Sequence, residues 1–333
     1  MSILLPVVRA LLESQAYPHK PQKIELVQTQ MSFIFLTGEY VYKIKKPVNL
    51  GYLDYTTLEK RHYFCHQELK LNRRLCPSAY LAVVPIIDEK NRLSIEGRGK
   101  AIEYAVKMKQ LPQDHMMDVL LARGQITVEM VTRVAERLVG FHHKAETNQK
   151  IATFGSLDVI CQNTDENFSQ TEKYIGTSIT AEEHQHIKNY TNNFISSNSG
   201  LFNKRVREGK IRDCHGDLHA AHVCFTEDIC IYDCIEFNDR FRYSDVASEI
   251  AFLAMDLDRY QQSGLSQHLV NTYVKLSHDE ELLKLLNFYK CYRAYVRGKV
   301  ESFKLDDCYI PEEEKAKLLT AARTYFQLAE SYV

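Results

Sequence analysis

Apolar and polar residues alternate through the first third of the chain, and later segments repeat their apolar positions at helical spacing. Ile24 to Gln28 and Ser32 to Leu36 read as strands, the second ending at the turn Thr37-Gly38-Glu39. Tyr40 to Lys46 resumes the alternation, so this unit predicts a hairpin. Pro47 ends it, because proline has no N–H to give to a ladder. From Thr56 the period changes. Leu58, Phe64, Leu69, Leu71 and Leu75 recur at roughly helical spacing until Pro77 closes the run. Val83 to Ile87, Leu93 to Ile95 and Ile102 to Met108 predict three further strands.

Beyond these the pattern is mainly helical. Met117 to Arg123 and Thr127 to Lys144 are amphipathic and separated by Gly124, and Thr127 supplies a helix start without a full capping box. Ala181 to Ser196 predicts another helix, with Ser196-Ser197-Asn198-Ser199-Gly200 as its loop exit. A short apolar hairpin occupies 223–236, and apolar helices then run over Asp245–Arg259, Leu265–Leu276, Glu280–Phe303 and Glu312–Tyr332. The sum is an α+β, two-lobed chain: a strand-rich lobe over 1–110 and a larger helical lobe over 111–333 with one embedded β-hairpin.

Composition narrows the function classes. At 333 residues the chain exceeds one typical domain and suits a two-lobed enzyme. A formal net charge of -1 argues against a dedicated nucleic-acid binder, which carries a marked basic excess. No apolar run approaches the roughly 20 residues that cross a bilayer, so no membrane partner is expected. Met1 to Ala10 is apolar but lacks a basic leader and a clear cleavage site, which reads as no signal peptide. Nine cysteines form no CxxC pair, and Cys224, Cys230 and Cys234 lie in apolar settings where reduced, buried thiols are expected. A cytoplasmic location follows from that reading.

The chemistry concentrates in two segments. Cys214-His215-Gly216-Asp217-Leu218-His219-Ala220-Ala221-His222 is followed by Ile231-Tyr232-Asp233-Cys234-Ile235-Glu236-Phe237. Acidic residues at the ends of a tight loop and a short hairpin suit a site that deprotonates a hydroxyl and holds a metal ion carrying phosphates. Taken alone, Asp217 could equally be a turn or helix-cap carboxylate.

The run HGDLHAAH, followed by Val223-Cys224-Phe225, resembles the catalytic loop of the aminoglycoside phosphotransferase-like family, relatives of protein kinases that phosphorylate small molecules. FLTGEYVYKIKKPV, LEKRHYFCHQELKLNRRL, CHGDLH, IEFNDRFRYSDVASEIAFLAMDLD and YRAYVRGKV together resemble one bacterial branch of it, from about residue 15 to 305. That branch often carries a C-terminal P-loop ATPase domain. No GxxxxGK[ST] occurs here, so the chain reads as the kinase-like domain alone.

The resemblance implies a protein-kinase-like fold, ATP and Mg2+ (or Mn2+) as cofactors, and a small-molecule alcohol as acceptor. It implies Asp217 as catalytic base and Asp233 as the metal-binding carboxylate, with Glu236 in Ile235-Glu236-Phe237 a rival or neighbour on the metal. Alternatively, one of these two acids pairs with Arg240 or Arg242. Among Lys43, Lys45 and Lys46, Lys43 fits the phosphate-anchoring position, and Glu68 fits its ion-pair partner better than Glu59. Glu103 to Pro112 resembles the last strand of the small lobe and the hinge, with adenine against Met108, Lys109 and Gln110. Leu138 to His142 resembles a helix segment of these kinases, with His142 a packed residue.

One position departs from the family. His222 stands where asparagine is usual, and imidazole is a poorer magnesium ligand than an amide oxygen and a better one for zinc or manganese. Either the metal is held weakly, or His222 contacts phosphate when protonated, or activity is low. A catalytically inactive nucleotide-binding module is therefore an alternative, as is transfer of AMP instead of phosphate. A metal site of His215, His219 and His222 is a third, disfavoured because Gly216 weakens the helix it needs. Asp256, Asp258, Glu301, Asp306 and Asp307 are acids that would attract a cationic acceptor or simply form a solvated helix face. Oligomeric state is left open.

Overall fold

The computed structural model describes residues 5–89, 92–307 and 310–333. It divides into two compact units: the residues up to Val119 together with His222–Asp239, and Leu120–Ala221 together with Arg240–Val333.

The first unit is built on a six-stranded antiparallel sheet. Its strands are β1 (Glu25–Gln28), β2 (Ser32–Leu36), β3 (Tyr40–Lys45), β4 (Tyr80–Glu89), β5 (Arg92–Ile95) and β6 (Ala101–Lys109), in the order β1-β2-β3-β6-β4-β5. Strand alternation sorts the side chains of β3. Tyr42 and Ile44 enter a cluster with Phe35, Ile86, Leu11 and Tyr17, whereas Val41 joins one with Cys65, Val106 and Met108. Lys43 and Lys45 share the Val41 face, as the alternation predicts. β4 is longer than the Val83–Ile87 core that its apolar run suggests, because register shifts at Tyr80/Ala82 and Ile86/Ile87 interrupt the pattern that marks a strand.

The helix Leu58–Asn72 packs on β4 and β6. Thr57 caps it by accepting from the Lys60 amide at 3.2 Å. Its buried positions include Arg61, Cys65, Glu68 and Asn72, so an ionic seam replaces the usual apolar stripe. The hairpin strands Val223–Phe225 and Ile229–Ile231 are buried throughout. They are fastened to the end of this helix: Cys234 N donates to Asn72 Oδ1 at 2.9 Å, and Cys76 is disulfide-bonded to Cys230 with their Cα atoms 4.6 Å apart. This corrects the reduced thiol expected at Cys230. The partner cysteine lies 154 residues away in sequence, and only the packing of hairpin on helix brings the two together. Cys224 and Cys234 are buried thiols outside the disulfide. Cys308 lies outside the described residues, as does the start of the N-terminal segment read for a signal peptide.

The second unit is helical. Val246–Arg259 packs on Leu282–Lys304, which packs in turn on Glu312–Glu330, and Val128–Lys144 packs on Ser263–Ser277. Two of the longer helices have no counterpart in the sequence reading. Leu157–Thr171 buries Thr164, Asn167 and Thr171 beside Phe168, so polar residues dilute its apolar period. Ser199–Arg207 follows Ala181–Ser197 after a single joint residue, Asn198, so 196–200 is a bend between helices and not a loop exit. A two-strand ladder, Ile211–Asp213 with Tyr243–Asp245, leads into the next helix. Asp245 caps that helix through the Ala247 amide at 2.8 Å and receives Arg205 bidentately at 2.7 and 2.6 Å. No described helix is long and apolar enough to cross a membrane.

Candidate active site

Within the sheet-bearing unit, β3 points two lysines at one carboxylate. Lys43 Nζ lies 2.9 Å from Glu68 Oε1, and Lys45 Nζ lies 2.7 Å from Glu68 Oε2. Each lysine then holds a second acid from the segment after the hairpin. Lys43 reaches Asp233 Oδ1 at 2.6 Å; Lys45 pairs with Glu236 Oε1, which also accepts from the Tyr55 hydroxyl at 2.6 Å. Burial would disfavour every one of these charges. The mutual attraction outweighs it: Glu68 stays below the usual carboxylate range because Lys43 and Lys45 oppose its desolvation and the repulsion of Asp233. Lys43 is likewise held well above its ordinary value, where burial would lower it but Asp233 and Glu68 raise it.

The two rival acids differ in what they can still do. Glu236 has a side chain 7% exposed and is committed to Lys45 and Tyr55, while the Asp233 side chain is 41% exposed. Asp233 also adopts φ +63, a left-handed backbone that aspartate tolerates better than most residues, and its amide donates to the Tyr80 hydroxyl at 3.3 Å. His222 Nε2 lies 3.6 Å from Asp233 Oδ2, and the His222 carbonyl accepts from the Tyr232 amide at 3.0 Å. A hard oxygen that remains partly open, with an imidazole beside it, fits a divalent cation. Arg240 pairs with Glu166, and Arg242 with Asp213 at 2.7 Å.

Met108 is buried on β6. The Lys109 amide donates to Ala79 O at 2.8 Å and the Gln110 amide to Glu39 O at 3.0 Å. Gln110 Oε1 also accepts from the Gly38 amide at 3.1 Å, which ties the turn between β2 and β3 to the end of β6.

In the helical unit the Asp217 loop is held by its backbone. Gly216 sits at φ +89, where only glycine is free of strain. Glu249 Oε1 accepts the amides of His215 at 2.7 Å and Gly216 at 2.8 Å. Its other oxygen receives His142 Nε2 at 2.7 Å, whose Nδ1 lies 2.8 Å from the Tyr273 hydroxyl. Burial alone would raise this carboxyl, but the bond and charge of His142, the His215 charge and the Gly216 amide pull it down to about 2. Arg293 Nη1 donates to Gly216 O at 3.1 Å, and Asp256 Oδ2 accepts the Ala220 amide at 2.8 Å. Asp217 itself is left with a partly exposed side chain, 3.6 Å from His219 Nε2.

His215 is fully buried and its Nδ1 accepts from the Asp217 amide at 3.3 Å. Among the described residues, no group of three close potential metal ligands contains it, which counts against the three-histidine site. His142 is a packed, hydrogen-bonded residue, as its sequence setting suggests. Three of the five acids considered for a cationic acceptor are engaged with other side chains: Asp258 with Lys290 and Tyr332, Glu301 with Lys304, Asp306 with Lys173 and Tyr174.

Sequence reasoning ranked Lys45 behind Lys43 and missed Tyr55 and Glu249 as parts of these networks. For Glu249 a signal existed. It stands directly before the apolar run Ile250 to Met255, where an uncompensated carboxylate would be costly.

No protein-family model matches the chain. Uncharacterized proteins of Mycobacterium tuberculosis and Mycobacterium bovis are 30% identical to it over 279 residues, which is 84% of this chain and 54% of theirs. The chain thus spans about half the length of the curated relatives it matches. Among solved structures, a choline/ethanolamine kinase family protein of Mesorhizobium loti aligns over 98% of this chain and 99% of its own, with TM-score 0.54 and 10% identity. An ethanolamine kinase of Plasmodium vivax aligns over 93% of this chain and 83% of its own, with TM-score 0.50 and 11% identity. At such identities the likeness is one of fold. With its curled antiparallel N-lobe sheet and its helical C-lobe, the chain has the α+β, protein-kinase-like fold of the choline/ethanolamine kinases.

Proposed function

We propose that the protein is an ATP-dependent phosphotransferase that moves the γ-phosphoryl group onto a hydroxyl of a small molecule. The observation that carries this reading is Lys43, held by Glu68 at 2.9 Å and by Asp233 at 2.6 Å. An ammonium fixed between a structural carboxylate and a partly open one is the arrangement phosphoryl transfer uses to hold phosphates beside a metal.

The roles follow from the surroundings of each group. Lys43 binds α- and β-phosphate oxygens, and Glu68 fixes its direction. Asp233, with His222 beside it, would hold Mg2+ or Mn2+, which would supply positive charge to offset that of the phosphates. Glu236 is outside that role, being spent on Lys45 and Tyr55. Met108, Lys109 and Gln110 border the adenine. Asp217 accepts the proton of the acceptor hydroxyl as its oxygen bonds to the γ-phosphorus and the bond to ADP breaks. Glu249, Arg293 and Asp256 hold the loop so that Asp217 needs no reorganisation.

The test is an untargeted metabolite screen. The full chain is incubated with ATP, Mg2+ and a small-molecule extract, and products heavier by one phosphoryl group are sought by mass spectrometry. Asp217→Asn should lower their formation by about 10²–10⁴-fold while retaining ATP binding. Full turnover by that variant would remove Asp217 as base, and products heavier by AMP would replace phosphate transfer with nucleotidyl transfer.

A further inference from the structure

The helix Leu282–Lys304 lays two arginines, one turn apart, along the Asp217 loop. Arg293 is buried and committed to Gly216 O and Ser248 Oγ. Arg297 is not committed in that way. It lies within electrostatic range of Asp217, and its Nε is buried without a hydrogen-bond partner. Its nearest acid, Glu301, is 3.3 Å away and holds Lys304 more closely at 2.8 Å. Arg259 lies 3.7 Å from Asp256, whose Oδ2 is taken by the Ala220 amide of the same loop.

Tyr325 connects these two cations, its ring centre 5.6 Å from the Arg297 guanidinium and 4.9 Å from that of Arg259. The approach depends on Gly298, where a Cβ would meet the Phe326 ring at 2.9 Å and push the helix Glu312–Glu330 away. A buried guanidinium donor without an acceptor is costly, and guanidinium pairs best with a planar or tetrahedral anion.

We propose that the acceptor alcohol is anionic, a hydroxy-carboxylate or a hydroxyl-bearing phosphate ester, whose negative group is taken by Arg297 and Arg259 beside Asp217. This rests on the phosphotransfer reading and adds the substrate class to it. The cation and the base then divide the acceptor between them: the arginines fix its anionic end, and Asp217 meets its hydroxyl.

The experiment uses the full chain and four small probes of similar size: glycerate, glycerol 3-phosphate, glycerol and ethanolamine. Binding of each is measured by ligand-observed NMR with and without Mg2+ and a non-hydrolysable ATP analogue, and ADP formation is followed with ATP. At least one of the two anions should bind about tenfold or more tightly than glycerol and ethanolamine, the scale of one charge-assisted guanidinium pair. Arg297→Gln should erase that preference and Arg297→Lys should retain part of it. Which anion wins separates carboxylate from phosphate recognition. Equal or tighter binding of ethanolamine, no binding of either anion, or a preference surviving in Arg297→Gln overturns the inference. If Arg297→Gln also loses the ATP analogue, as a misfolded variant would, Arg259→Gln takes its place under the same criteria. Should the wild-type chain bind no ATP analogue, the phosphotransfer reading fails, while the anion preference measured without nucleotide still decides this one.

Discussion

Lys43 Nζ donates to Asp233 Oδ1 at 2.6 Å although 190 residues separate them in sequence. The same ammonium lies 2.9 Å from Glu68, which is fully buried. Removing it leaves Glu68 with Lys45 alone and places two carboxylates in uncompensated proximity. Lys43→Met should therefore cost about 3 kcal/mol of stability, the scale for breaking one side of a buried pair, and should weaken ATP binding as well. Urea denaturation checks the first effect; a variant as stable as the wild type would mean the lysine is not part of a stabilising network.

Asp233 and Glu236 should separate cleanly in a metal titration. Asp233→Asn keeps the shape but removes the open carboxylate, so Mg2+-supported ATP binding should fall by about tenfold or more. Glu236→Gln removes a charge from between Lys45 and Tyr55, so it should lower stability by about 3 kcal/mol and leave the metal response in place. The opposite pattern would transfer the metal role to Glu236.

His222 tunes the metal preference if it acts beside Asp233. An amide oxygen is harder than imidazole nitrogen, so His222→Asn should shift the ratio of Mg2+- to Mn2+-supported activity toward magnesium. An unchanged ratio would exclude a metal role for this histidine.

Glu249 gives the fold an acid-sensitive joint. Its carboxyl is depressed from 4.5 to about 2, so its contribution to stability is fully present above pH 4.5 and is lost as the pH falls from there toward 2. The shift corresponds to about 3 kcal/mol. Glu249→Gln keeps an acceptor for the His215 and Gly216 amides but has no proton to take up. It should be less stable than the wild type at pH 7, and the gap should narrow by pH 3. Parallel losses in the two proteins, followed by chemical denaturation across that range, would show that another group governs the acid transition.

Much of this was legible in the residues. Period-two alternation marked β1 to β3 and put Lys43 and Lys45 on one face, which is a local property of any pleated strand. Apolar periodicity likewise found most of the helices, and HGDLH marked the loop of Asp217. Leu157–Thr171 stayed hidden because its inward positions carry Thr164, Asn167 and Thr171: the two threonine hydroxyls bond back to carbonyls of their own helix, and Asn167 Oδ1 accepts from the distant Lys299.

The tertiary structure decided how long-range partners share charges. Sequence offered three lysines and two acids after the hairpin. Packing gave Lys43 to Asp233 and Lys45 to Glu236, with Glu68 between, and left Asp233 the more open. It also joined Cys76 to Cys230 and grouped residues 222–239 with the sheet. The physical reason is range. A period records which face of its own element a residue occupies, whereas a pair depends on which other element that face meets. The amino-acid order by itself determined the elements, their faces and the candidate chemistry. How Glu68, Asp233 and Glu236 divide Lys43 and Lys45 between them was settled only when those faces met.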